Sequence, residues 1–459
     1  MKKSRFMAML AATAILAGIC SGCGAKEERA ANETTITFWS CSGHAKDAYE
    51  KEINNYNKGE GAQKGIKIEY TYVSAETYNQ TLSLALQNDT APDIMEAIDV
   101  RKNVENGAYA PLEDLPGGEE LVKKYDEYKK ENVTTFDGKT YILPRASTTM
   151  GLIYNTKMFE EAGIVDENGK AKPPVTFDEL FECAKKLTDA NNKKYGIILP
   201  RKWSGWAESD ILYTSVPSCG YMRYDYKTGK VNLDTTKTAI QCYKDIEENG
   251  YCFPGSLGID NDAARAYFAE GNIGMKIAFS FDVGVLRDQF PAKIDWEVAP
   301  LPVVDKDNTY KQRLTYGYTP AISKTAAETK DGEKLMEAYK FLAGDELLKT
   351  FYKEGLEIPY NSSVTEGIEL DDSMKQWKAF CDMVDISTDL PSEPSKDSSA
   401  MMKYQDRVNL MMSGEQTIEE GIKVQTEEIT KAIEDFYKNN PDSEKKLEDY
   451  IVPDWDARR

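Results

Sequence analysis

Histidine is almost missing from this sequence: His44 is the only one in 459 residues. That excludes metal centres built on several imidazoles, and any catalytic triad would have to recruit the single ring available. Positive charge is also in deficit. Fifty-seven Lys and Arg face 77 Asp and Glu, a formal net charge of −20, so the summed field repels phosphate backbones and nucleic acid is not an expected partner. Long apolar runs are absent after the first two dozen residues, and a membrane-spanning helix needs about 20 apolar residues. Core-forming material is plentiful: 41% of residues are apolar and 10% aromatic, too much for a disordered chain. The length suggests two to four domains, and two lobes are the first expectation.

The N-terminus reads as an export signal over residues 1–22. Lys2, Lys3 and Arg5 form a basic start, and Phe6 to Ile19 is uncharged and mostly apolar but too short to span a bilayer. Ser21-Gly22-Cys23 resembles the bacterial lipobox, in which small residues precede a cysteine that is acylated, for example with palmitate, and becomes the mature terminus; Cys20 departs from the usual Leu. Lipidation at Cys23 would hold the chain on a membrane through buried methylenes worth about 0.8 kcal/mol each, with residues 23–32 as a flexible leash. The alternative is ordinary secretion with cleavage nearby. Loss of Lys2, Lys3 and Arg5, with no acid in residues 1–22, takes the charge from −20 to −23. Six cysteines remain in the body, irregularly spaced and without a CxxC pair. They permit disulfides outside the cytoplasm but designate no bridge and no metal site.

Periodicity predicts short strands alternating with helices. Thr34–Trp39 is β-branched and aromatic, Ile66–Tyr72 alternates apolar with polar, and between them Tyr49, Ile53 and Tyr56 mark an amphipathic helix over 46–58. Strand, helix, strand implies a parallel βαβ unit. Further strands are expected at 93–95, 195–199, 273–281 and 296–302. Thr176 with Glu179, and Thr417 with Glu420, have the spacing of capping boxes at helix starts. Residues 387–399 (STDLPSEPSKDSS) form the clearest loop.

The order of segments resembles the extracellular solute-binding proteins of bacterial ABC importers, above all the sugar-binding group that includes maltose-binding protein. The resemblance is carried by ITFW, TAPDIMEA with NGAYAPLEDL, GKTYILP with GLIYNTKMFEEAGI, PPVTFDELFECAKKLT, AYFAEGNIGMKIAFSF and SGEQTIEEGI, in that order. It implies an α/β, two-lobed periplasmic-binding-protein-like fold, each lobe a mixed sheet flanked by helices, joined by crossing hinge strands. The crossings would fall at Tyr141–Thr149 and near Phe281–Gly284. The first lobe would hold 33–144 and 283–325, and the second 145–282 and 326–459. The implied function is capture of a carbohydrate outside the membrane by lobe closure and its delivery to permease subunits. The resemblance implies a monomer without cofactor, metal or catalytic residues, lipid-anchored on the extracytoplasmic face.

A sugar binder needs flat apolar faces for pyranose C–H groups and directional polar groups for hydroxyls. Trp203 and Trp206 in KWSGWAE read as a stacking platform, or as caps of the lobe core. Phe281 falls where the family places a stacking tryptophan. Ser42 and His44 lie in the loop that meets ligand hydroxyls in relatives, although Ser42 also suits a helix N-cap. Glu96 and Asp99 follow the PDI strand as hydroxyl acceptors or as a solvated face. Thr148, beside Ser147, aligns with an acidic ligand contact of relatives. Tyr318 and Tyr360 are weaker candidates that also suit packing. Rival readings are a binder of a polyamine, another cation or a peptide, a surface-anchored glycoside hydrolase, and a sensor subunit.

Overall fold

The computed structural model describes residues 33–131, 133–399, 401–443 and 445–458. The expected signal segment 1–22, the lipidation site Cys23 and the leash 23–32 lie outside the described residues. In chain order the strands that build the sheets and hinge are β1 (Thr34–Ser40), β2 (Ile66–Tyr72), β3 (Ile94–Glu96), β4 (Ala146–Thr148), β5 (Met150–Asn155), β6 (Tyr195–Ile197) and β7 (Ile273–Phe279). They continue with β8 (Trp296–Ala299), β9 (Gln312–Arg313), β10 (Thr315–Tyr316), β11 (Pro320–Ile322), β12 (Ile358–Pro359) and β13 (Ser387–Thr388).

β1 buries Ile36 and Phe38 and pairs in parallel with β2 and β3, which makes the expected βαβ unit with the helix Lys46–Lys58 as its crossover. β11 closes the edge antiparallel to β3, for the order β11-β3-β1-β2. The second sheet has the order β8-β5-β7-β6. Its β5 is buried along its whole length because both faces are covered. On one face the helix Phe177–Leu187 buries Phe177, Leu180, Ala184 and Leu187. Thr176 and Glu179 form the predicted capping box at its start, a cap worth about 0.5–2 kcal/mol. Gly196 in β6 lets the same helix lie close, since a β-carbon there would fall 2.2 Å from the Ala184 carbonyl oxygen. The opposite face packs Ile153, Trp296, Trp377 and Phe380.

Two sheets with separate cores form two α/β lobes, as expected, but the boundaries are corrected in two places. Residues 283–325 were assigned to the first lobe, whereas β8 pairs antiparallel with β5 and so belongs to the second; only from β11 does the chain return. Residues 326–459 were assigned to the second lobe, whereas helices Gly332–Ala343 and Asp345–Lys353 bury Leu335, Tyr339, Leu342 and Phe351 in the first-lobe core. The crossings are corrected too. Phe281–Gly284 stays in the second lobe, with Val283 and Leu286 in its core. The chain crosses at β4, β10 and β12, which form one three-stranded hinge sheet in the order β10-β4-β12. Within the hinge, Arg145 Nη1 lies 2.8 Å from Glu357 Oε2, with the two side chains 1% and 6% exposed. Burial pushes the Glu357 carboxyl up to about 7 against the pull of Arg145.

Candidate functional site

β1 and β3 are neighbours, so the loop after β1 lies over the end of β3. There Glu96, fully buried, accepts hydrogen bonds from Cys41 N (2.7 Å), Ser42 N (3.1 Å) and Ser42 Oγ (2.7 Å). Burial raises its pKa, and hydrogen bonds from Ser42, Cys41 and Ser40 pull in the other direction. The Glu96 carboxylate is therefore the anchor of the 40–44 loop, with both oxygens engaged by it. Ser42 spends its hydroxyl on Glu96 and caps no helix through its side chain. The loop turns tightly at Gly43, where a β-carbon would come within 2.9 Å of the Tyr72 hydroxyl, and it aims His44 at the second lobe.

Across the cleft, His44 stacks on Phe281 with centroids 4.5 Å apart and planes at 20°. The other face of Phe281 stacks on Phe279 at 5.2 Å and 6°, and Phe279 meets Trp203 edge-on at 6.2 Å. A column of four rings thus runs from the first lobe into the second. Gln289 Nε2 adds a cross-cleft hydrogen bond to Gly43 O (2.9 Å). Burial and the nearby Arg265 hold the His44 pKa down to about 3, so the ring is neutral at ordinary pH.

Beneath Phe281, buried Asp282 binds Arg265, whose Nε is 2.9 Å away and whose guanidinium also lies 5.7 Å from the Phe281 centroid. Lys276 Nζ stands 3.7 Å from Asp282 and donates to Ile277 O. Asp210, on the π-helix Glu208–Tyr213, is pushed up to about 6 by burial, against the pull of Lys276. At the end of that helix, Tyr213 carries Arg313 over its ring at 4.3 Å.

The structure separates the sequence candidates. Ser42, His44, Phe281 and Trp203 come together at the cleft. Tyr318, 44% exposed, stands beside them, within electrostatic reach of Cys41, Glu96 and Tyr213. Trp206, read as half of the platform, is fully buried in the second-lobe core against Tyr243. Thr148 is buried in β4 opposite Thr315. Tyr360 belongs to the hinge, stacked on Tyr316 at 5.3 Å and hydrogen-bonded to Asp389. Asp99 is exposed and precedes the helix Val100–Glu105 with a left-handed φ of 42°. A cavity of about 380 Å³ opens beside Tyr318, lined by Val100, Phe136, Ile142 and Tyr316. A larger one, about 860 Å³ between Phe177–Leu187 and Thr236–Glu248, shares no residue with the cleft set.

The two lobes thus meet in a hinged cleft faced with aromatic rings. The model of the bacterial extracellular solute-binding proteins matches residues 42–347. The chain belongs to that family. It is similar to the maltotriose-binding protein of Pyrococcus abyssi, 28% identical over 306 residues that make up 66% of this chain and 62% of that protein. The match thus spans less than two thirds of that relative's length. Among solved structures it is similar in fold to the GacH receptor of Streptomyces glaucescens, solved unliganded and with acarbose (19% identity, 88% and 99% coverage, TM-score 0.69). It is also similar to the maltose/maltodextrin-binding domain of Bdellovibrio bacteriovorus bound to maltotriose (18% identity, 87% and 100% coverage, TM-score 0.66). No described helix of this solute-binding protein is long and apolar enough to cross a membrane.

Several cleft residues of the solute-binding protein escaped the sequence reading. Phe279 had a signal, since two-residue alternation puts it on the same side as Phe281. Gln289, Asp210, Tyr213 and Arg313 had none, because their neighbours in the cleft are remote in sequence.

Proposed function

We propose that this solute-binding protein captures a carbohydrate, an oligosaccharide in preference to a single sugar, outside the membrane and hands it to the permease subunits of an ABC importer. The observation that carries the reading is the ring column His44–Phe281–Phe279–Trp203 between two hinged lobes. Flat faces beside hydroxyls and buried carboxylates are what pyranose rings need. Support also comes from the maltotriose and acarbose named for its relatives. Closure works by population shift, with the ligand favouring the closed arrangement by as much as it binds that form more tightly. Cys23 acylation tethers the protein as a monomer on the extracytoplasmic face. The binding role requires no chemistry on the sugar.

Differential scanning fluorimetry against mono- and oligosaccharides, with spermidine as control, tests the ligand class. A saturable shift with an oligosaccharide and no product on chromatography is expected. A shift with spermidine alone overturns the sugar assignment, and product formation overturns the binding role. Radiolabelled palmitate on the parent and its absence from Cys23→Ser tests the anchor.

A further inference from the structure

Among the described residues the Arg313 guanidinium pairs with no carboxylate. On β9, at the second-lobe side of the hinge, it lies over the Tyr213 ring at 4.3 Å. Its Nη1 is buried and donates to no acceptor among the described residues. Tyr213 is within electrostatic reach of exposed Tyr318, and Tyr318 is within reach of Cys41 and Glu96. Tyr318 thus lies between the Arg313–Tyr213 stack and the first-lobe loop, within electrostatic reach of both.

The carboxylates near it are spent elsewhere. Glu208 binds Arg223 at 2.7 Å, and Glu393 binds the same guanidinium at 3.4 Å while accepting from Arg223 N at 3.0 Å. Lys396 is partly buried beside this set, coupled to Arg223, Glu393 and Glu208, but makes no ion pair within 4 Å among the described residues. Arg223, Arg313 and Lys396 thus face two carboxylates, which leaves one positive charge uncompensated in a chain of net −20. Of the other acids, Asp210 is drawn most strongly to Lys276, and Asp389 is held through Oδ2 by Lys130 and the Tyr360 hydroxyl, while its Oδ1 is buried without a partner among the described residues. Two residues after Arg313, Thr315 Oγ1 is also buried without a partner among the described residues.

A dry guanidinium nitrogen without an acceptor is costly, and the planar fork of arginine matches a carboxylate with two parallel hydrogen bonds. We propose that Arg313, with Lys396 and the Thr315 hydroxyl, is the subsite for a carboxylate carried by the sugar, so that the ligand is a uronic-acid-containing oligosaccharide. This rests on the carbohydrate reading of the cleft and deepens it. Tyr213, capped by Arg313, sets the direction from which the acidic ring enters.

Calorimetric titration of the protein tests this with galacturonate and glucuronate di- and trisaccharides, their methyl esters, maltotriose and glucose 1-phosphate. The acids are expected to bind at least tenfold more tightly than the esters or maltotriose, and the preference to weaken with salt. Arg313→Met is expected to lose at least tenfold for the acids and with it the preference for acids over their esters; Arg313→Lys, keeping charge without the fork, should fall between. An unchanged melting temperature for these variants separates lost recognition from lost folding. Esters or maltotriose binding as tightly as the acids overturns the proposal but leaves the carbohydrate reading standing. Binding of glucose 1-phosphate alone reassigns the subsite to phosphate and overturns the uronate, and no binding by any sugar sinks both readings.

Discussion

The His44–Phe281 stack and the Gln289 bond tie the lobes together across the cleft, so removing both should open the protein. A stacked aromatic pair contributes about 0.5–1.5 kcal/mol beyond burial, and one hydrogen bond about 0.5–1.5 kcal/mol. His44→Ala with Gln289→Ala therefore costs closure about 1–3 kcal/mol, a shift of roughly 5- to 150-fold in the closed-to-open ratio. Arg287 Nη2 also donates to Glu354 O across the lobes, at 2.8 Å, and the double variant leaves that bond in place. Acid should act in the same direction. The closed-state His44 pKa of about 3 lies below the ordinary 6.5, so the open form takes up the proton more readily. The closed form's advantage is full above pH 6.5 and is lost as pH falls toward 3, by about 1.4 kcal/mol at pH 5.5. Arg265, Asp282 and Arg145 are the charged groups that act on the ring. Small-angle scattering of the protein alone reads the effect as a rise in radius of gyration in the double variant, and in the parent at pH 5.5. His44→Phe should stay closed and lose the pH response. A double variant with a scattering curve identical to the parent refutes the latch.

The anchor role of Glu96 predicts that Glu96→Ala, which strands three donors, destabilises by about 3 kcal/mol or more, whereas Glu96→Gln, able to serve all three, costs about 1 kcal/mol or less; equal urea midpoints for the two variants would contradict it. Trp206→Ala should cost about 3–5 kcal/mol from the second-lobe core. Trp203→Ala should weaken oligosaccharide binding with a smaller loss of stability, and the reverse pattern would exchange their roles. Asp210, held near 6 by burial, contributes most to stability below its ordinary 3.8 and loses that contribution as pH rises to 6. Asp210→Asn should therefore raise the melting temperature above pH 6, with a gain on the order of 3 kcal/mol that vanishes below pH 4; a variant less stable at pH 7.5 would show that the charge is needed beside Lys276.

What was legible in the sequence is what neighbours along the chain decide. The helix Lys46–Lys58 follows from Tyr49, Ile53 and Tyr56 at helical spacing, and Thr176 meets Glu179 because three residues bring a cap side chain to the third turn position. β1 and β2 declare themselves by β-branched and alternating residues. The family order of these segments carried the two-lobed architecture with them. Tertiary structure decided the rest. β8 found its partner in β5, some 140 residues earlier in the chain, and the helices after β11 found the first-lobe core. Trp203 and Trp206, three residues apart in one loop, took opposite places, at the cleft and in the core. Glu96 became an anchor and Arg313 a cation with no carboxylate partner among the described residues for the same reason. Local sequence sets backbone preference and which face is apolar, whereas pairing, burial and charge balance are sums over groups that only folding brings within a few ångströms of one another.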